Sequence, residues 1–114
     1  MREPNPEECV EFARTVLELE ADAIYSAANR LDSNLSRAVC LLQGHTGKIV
    51  VSGLGKSGLI GQKIAATLCS TGTPAVFMHP AEALHGDLGI YAPGDPTVLL
   101  SKSGNTAELV RLVP

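Results

Sequence analysis

The sequence predicts an α/β fold with parallel strands, on three observations. Apolar residues recur at helical spacing up to Gly44, and the periodicity changes at Gly47. Beyond that point come three short apolar runs, 48–52, 75–78 and 97–100. The first and third run into a glycine-rich or hydroxyl-rich turn followed by a new helical pattern, and the second runs into a loop rich in titratable residues. Alternation of buried strand, turn and helix is the signature of an α/β layer structure.

The elements follow in chain order. Asn5 can cap a helix, Pro6 suits its first position because the missing N–H costs nothing there, and Glu7 and Glu8 complement the positive end of the helix dipole. Val10, Ala13, Leu17, Ile24, Ala28 and Leu31 then form one apolar stripe on a long amphipathic helix. Ser33 or Asn34 restarts a shorter helix through Leu35, Val39 and Leu42, with Gly44 expected as its left-handed C-terminal residue. Lys48-Ile49-Val50-Val51-Ser52 reads as a strand buried on both faces. After Gly53-Leu54-Gly55-Lys56-Ser57-Gly58, the residues Ile60, Ile64, Ala65 and Leu68 give a helix that stops near Gly72. Strands are expected at Ala75-Val76-Phe77-Met78 and Thr97-Val98-Leu99-Leu100, and a helix from Ala107 onward.

Composition narrows the function. With 45% hydrophobic residues, 18% charged and a net charge of -3, the chain can bury a core and carries no basic block of the kind that grips nucleic acid. No apolar run is long enough for a bilayer, and the start has neither a basic nor an apolar leader segment, so a cytoplasmic protein is expected. Cys9, Cys40 and Cys69 are odd in number and form no C-x-x-C pair, which fits a reducing compartment and small buried thiols.

In an open parallel sheet ligands bind beyond the carboxyl ends of the strands, so the three following segments are where chemistry is expected. Gly53 to Gly58 matches G-x-G-x-x-G, but the second strand ends Phe77-Met78-His79 without the acid a dinucleotide ribose needs. A triphosphate loop also fails, because the glycine required five positions before Gly55 is Val50. What remains is a tight turn presenting Lys56 and Ser57 at a helix N-terminus, where an anion is favoured, or else a plain strand-to-helix connection with a solvated lysine. Ser101-Lys102-Ser103-Gly104-Asn105-Thr106 brings three hydroxyls to the same kind of position. It reads either as a metal-free phosphate cradle, with Lys102 as a point charge if it turns inward, or as a polar loop capped by Asn105 or Thr106. In the middle loop, His79, Glu82 and His85 are spaced by three, which admits a metal site. A histidine moving protons beside a phosphate fits the neighbouring loops better, His79 being the more structural of the two.

Four segments in this order and spacing resemble the arabinose-5-phosphate isomerases: Gly53-Leu54-Gly55-Lys56-Ser57-Gly58, Ser70-Thr71-Gly72-Thr73-Pro74-Ala75, the run from His79 to Gly89, and Ser101-Lys102-Ser103-Gly104-Asn105-Thr106. These isomerases belong to the sugar isomerase (SIS) family of phosphosugar-binding domains, and the likeness covers about residues 8 to 114. It implies a flavodoxin-like, doubly wound parallel sheet, represented here by about three strands in 47–114, with residues 1–46 as a helical segment packing on it. It implies interconversion of D-arabinose 5-phosphate and D-ribulose 5-phosphate through an enediolate, feeding synthesis of the acidic sugar Kdo for lipopolysaccharide or capsule. Lys56, His85 and Glu108 match the family's catalytic positions, and Ser57, Ser101, Ser103 and Thr106 its phosphate-binding hydroxyls. The resemblance further implies a homo-dimer or homo-tetramer, a sugar phosphate as the partner, and neither nucleic acid nor membrane. No cofactor and no metal is required, with His79, Glu82 and His85 as an inhibitory metal site.

The chain departs from the family pattern at Asn105, where Glu is usual, and at Lys102, where a neutral residue is common. Its 114 residues fall short of the ~150 that a five-stranded doubly wound domain normally takes. The front portion of an isomerase domain is therefore expected, and the resemblance implies a further catalytic Glu, a second catalytic His and a pair of CBS domains beyond Pro114. The competing expectation is a non-catalytic phosphosugar-binding SIS module, regulatory or truncated.

Overall fold

A computed structural model describes residues 1–84 and 87–113, which form two compact units, Met1–Ala38 and Val39–Pro114. In the first unit, α1 spans Pro6–Asn29. Asn5 caps it as its sequence position predicts, its side chain accepting the Glu7 N–H at 3.1 Å, and Pro6 opens the helix. The stripe of Val10, Leu17, Ile24 and Leu31 is exposed, and no residue of α1 is buried. The next helix, α2 at Ser33–Gln43, starts one position after its working cap: Asp32, not Ser33 or Asn34, accepts the Asn34 N–H, at 2.9 Å.

The second unit holds a three-stranded parallel sheet in the order β2-β1-β3, with β1 at Ile49–Gly53, β2 at Ala75–Phe77 and β3 at Thr97–Leu100. All five residues of the central strand are buried, which is why Ile49-Val50-Val51 is a continuous apolar run rather than an alternating one. Alternation along β1 divides the core. Ile49 and Val51 pack with Ala65 of α3 (Gly55–Ser70), joined by Ile64, Leu68, Phe77 and Val98. On the other face Val50 packs with Met78 and with Ala83 of α4 (Pro80–Leu84), joined by Val76, Ile90, Tyr91 and Leu112. Each of Val50 and Val51 is 0% exposed, worth about 1.5–3 kcal/mol relative to an exposed side chain. A 3₁₀ turn covers Asp87–Ile90, and α5 is Ala107–Val110.

Three expectations are corrected. Cys9, Cys40 and Cys69 are exposed rather than buried, Cys9 and Cys40 on helices with no buried residue and Cys69 on α3. Gly44 is not left-handed: among the described residues the positive-φ glycines are Gly55, Gly72, Gly94 and Gly104. The Gly44 N–H instead continues the helical pattern to the Cys40 carbonyl at 3.0 Å. The first strand starts at Ile49 rather than Lys48, because the Lys48 N–H is taken by the Asp95 carboxylate outside the ladder. By contrast α3 ends where glycine spacing places its end. Gly72 has φ 93, and the Thr73 and Gly72 N–H groups return to the Leu68 and Cys69 carbonyls at 2.9 and 3.2 Å, a Schellman closure. Among the described residues no helix is long and apolar enough to cross a membrane.

Candidate phosphate-binding site

The turn from β1 into α3 is built by backbone contact. A Cβ on Gly58 would stand 2.5 Å from the Gly53 carbonyl oxygen, and one on Gly53 would stand 3.1 Å from the Ser57 carbonyl. Hydrogen at Gly58 is what lets the end of the strand lie against the first turn of the helix, and at Gly53 a side chain would crowd the same contact. Gly55, at φ 56, supplies the left-handed residue that starts α3, and nothing lies within 4 Å of where its side chain would be. No side chain caps α3 at Leu54, so the first-turn N–H groups and the positive end of the dipole are open to an anion. Lys56 is exposed here and Ser57 is half-buried.

The loop after β3 closes on itself through its hydroxyls. Ser101 Oγ accepts the Gly104 N–H at 2.9 Å and pairs with Thr106 Oγ1 at 3.0 Å, while Ser103 Oγ accepts the Asn105 N–H at 3.1 Å. The reversal depends on Gly104, whose φ is 74. Thr106 makes no side-chain cap to α5. Its hydroxyl is engaged across the loop.

These two segments meet at an open cleft of about 240 Å³ lined by Ser57, Ile60, Leu100, Ser101 and Lys102. Ser101 also faces a neighbouring hollow with Leu99, Gly104, Leu109, Val110 and Val113. Of the expected phosphate ligands, the structure thus brings Ser57 and Ser101 to one cleft and couples Thr106 to Ser101, whereas Ser103 is exposed and bonded within its loop. Neither Lys56 nor the half-buried Glu108 is among the residues lining either hollow. Lys102 also lines the cleft, the condition under which its place in the sequence makes it a point charge for an anion.

The third expected segment is only partly described. His79 Nδ1 accepts the Ala81 N–H at 3.2 Å and so caps α4, whose first residue is Pro80. Glu82 is exposed, and His85 lies outside the described residues. Among the described residues no group of three His, Cys, Asp or Glu side chains gathers to hold a metal.

A family model, the SIS domain, matches residues 43–114. An arabinose 5-phosphate isomerase of Pseudomonas aeruginosa is 49% identical over 105 residues, which cover 92% of this chain and 32% of that protein. The arabinose 5-phosphate isomerase GutQ of Escherichia coli strain K12 is 50% identical over 101 residues, covering 89% of this chain and 32% of the relative. The chain therefore spans about a third of the length of these curated relatives. A solved structure of an Escherichia coli CFT073 protein in complex with arabinose 5-phosphate superposes with a TM-score of 0.92 at 39% identity, covering 97% of this chain and 59% of that one.

Proposed function

Because the chain belongs to the SIS-domain family, we propose that the protein is an arabinose-5-phosphate isomerase that interconverts D-arabinose 5-phosphate and D-ribulose 5-phosphate. The observation that carries this reading is the convergence of Ser57, Ser101 and Lys102 on one cleft beside the uncapped first turn of α3. Hydroxyls, free N–H groups and one ammonium are what a phosphate monoester takes as partners. The relatives and the solved complex with arabinose 5-phosphate point to the same ligand class.

On this reading the phosphate is anchored by Ser57, Ser101 and Thr106, with Ser103 turning in from the same loop. The opened sugar extends toward the residues that move protons. Glu108 takes the proton from C2 of the aldose, and Lys56 stabilises the negative charge that develops on the enediolate oxygen. The proton returns to C1, and His85 serves ring opening and the exchange of the hydroxyl protons. No electron leaves the substrate, so the reaction as written needs no redox cofactor, and Lys56 takes the charge-stabilising part that a Lewis-acid metal plays in other sites. D-arabinose 5-phosphate formed in this way would feed Kdo synthesis, and the protein would act in the cytoplasm as a homo-dimer or homo-tetramer.

A second reading, a module that binds phosphosugars without turning them over, is favoured by one observation: Lys56 and Glu108 stand outside the cleft lining while its hydroxyl loop is fully formed. An isomerase assay run beside calorimetric titration with D-arabinose 5-phosphate separates the two. Turnover that falls at least a hundredfold in Lys56→Ala and Glu108→Gln, with binding retained, supports the isomerase. Binding without turnover in the unaltered chain selects the module, and absence of binding rejects both.

A further inference from the structure

We infer that Lys102 sets the affinity of the cleft for doubly charged phosphate esters, an inference that rests on the sugar-phosphate reading of that site. Of the described residues lining the cleft, Lys102 alone is charged; Ser57 and Ser101 offer hydroxyls, and Ile60 and Leu100 are apolar. The loop from Ser101 to Thr106 contains no acid that would neutralise it. Among the described residues Lys102 has no ion-pair partner, in contrast to Lys48, whose ammonium is held by Asp95 at 2.5 Å.

The geometry separates two tasks. Ser101, fixed by the Gly104 N–H and the Thr106 hydroxyl, holds the loop in a defined shape and gives directional hydrogen bonds, but no net charge. Lys102, next in the chain and exposed, contributes a point charge to a cleft that Ile60 and Leu100 also line. Its contribution scales with the charge of the ligand, so it separates a phosphorylated sugar from the unphosphorylated one. Being exposed, it is weakened by salt, whereas the hydrogen bonds of Ser101 are not.

The test is titration of the chain with D-arabinose 5-phosphate, inorganic phosphate and D-arabinose at low and high salt, for the unaltered protein, Lys102→Gln, Lys102→Arg and Ser101→Ala. Amide NMR spectra of each variant report that the fold is kept. The expected result is that Lys102→Gln weakens both phosphates about threefold to tenfold at low salt and flattens the salt dependence, and that Lys102→Arg restores both. D-arabinose should bind none of the proteins measurably. Equal affinity and equal salt dependence in Lys102→Gln and the unaltered protein would overturn the role of Lys102 while leaving the site in place. Failure of the unaltered chain to bind either phosphate would overturn the site and the role of Lys102 together. Ser101→Ala keeps the two apart, since it should lose affinity while retaining the salt dependence that Lys102 confers.

Discussion

Asp95 grips Lys48 twice, accepting its backbone N–H at 3.1 Å through one carboxylate oxygen and its ammonium at 2.5 Å through the other. The second oxygen also takes the Ala92 N–H at 2.9 Å. This cluster fastens the loop before β3 to the residue that leads into β1, and it leaves no room beside it: a Cβ on Gly47 would lie 2.1 Å from the Asp95 Oδ1.

The hydrogen bond from the Lys48 ammonium, with those from the backbone, lowers the Asp95 pKa from 3.8 to about 2. A carboxyl depressed in the folded state contributes its full stabilisation above the unfolded value of 3.8, where both states have released the proton. The contribution is lost as pH falls from there through about 2. Thermal unfolding followed by circular dichroism should therefore show Asp95→Asn less stable than the unaltered chain at pH 6, with the gap narrowing between pH 4 and pH 2. A gap that stays constant over that range would show that the charge of Asp95 is not what holds the loop.

Much of the local structure is legible in the sequence because its causes are local. Asn5 and Pro6 open α1, Gly72 closes α3 with a left-handed residue, and β3 runs over the residues its apolar run marks. Gly44 misleads because the same residue type also serves where the chain simply continues a helical hydrogen bond. The Asp95 clasp is invisible to periodicity, since its partners are 47 positions apart and nothing in Pro93-Gly94-Asp95 announces a distant ammonium. At the candidate site the loops are legible as loops, but which side chains share a cleft is not. That depends on β1 and β3 being neighbours in the register Ser52↔Leu99 and Gly53↔Leu100, which brings the turns that follow them together.

The glycines of the β1–α3 turn should be unequal under substitution. Gly58→Ala drives a methyl group to 2.5 Å from the Gly53 carbonyl oxygen, backbone that cannot rotate away, and should cost at least about 2–3 kcal/mol in urea unfolding. Gly55→Ala meets open space and bears only the penalty of a left-handed φ of 56, about 1–2 kcal/mol. The reverse order would mean that helix and strand separate at this turn more readily than their contact distance suggests.

Ser101 and Thr106 should behave as one unit in ligand binding. Their hydroxyls lie 3.0 Å apart, and Ser101 also holds the Gly104 N–H, so removing either hydroxyl frees the loop as well as deleting a ligand. Ser101→Ala and Thr106→Val should each weaken D-arabinose 5-phosphate by about tenfold or more. The double variant should fall well short of the product of the two losses, as expected for residues in one network. Strictly multiplicative losses in a calorimetric cycle would show the two hydroxyls acting independently.

Ser52 is a buried polar residue of the core, at 0% exposure, and its hydroxyl donates to the Met78 carbonyl at 2.5 Å. The position explains why a polar side chain belongs there. The β1–β2 pairing is registered only as far as Val51↔Phe77, and Met78 is the residue at which the chain leaves the ladder for His79 and α4. The hydroxyl thus extends the cohesion of the two strands by one residue and fixes where the middle loop departs. Ser52→Ala removes this donor from a buried acceptor and should cost about 1–3 kcal/mol. The Met78 amide, which donates to the Val51 carbonyl at 2.8 Å, should then exchange with deuterium faster than the amides in the centre of β1. Unchanged stability with unchanged protection at Met78 would show that the Ser52 hydroxyl is merely accommodated; a selective loss at Met78 would identify it as the tie that sets the exit of β2.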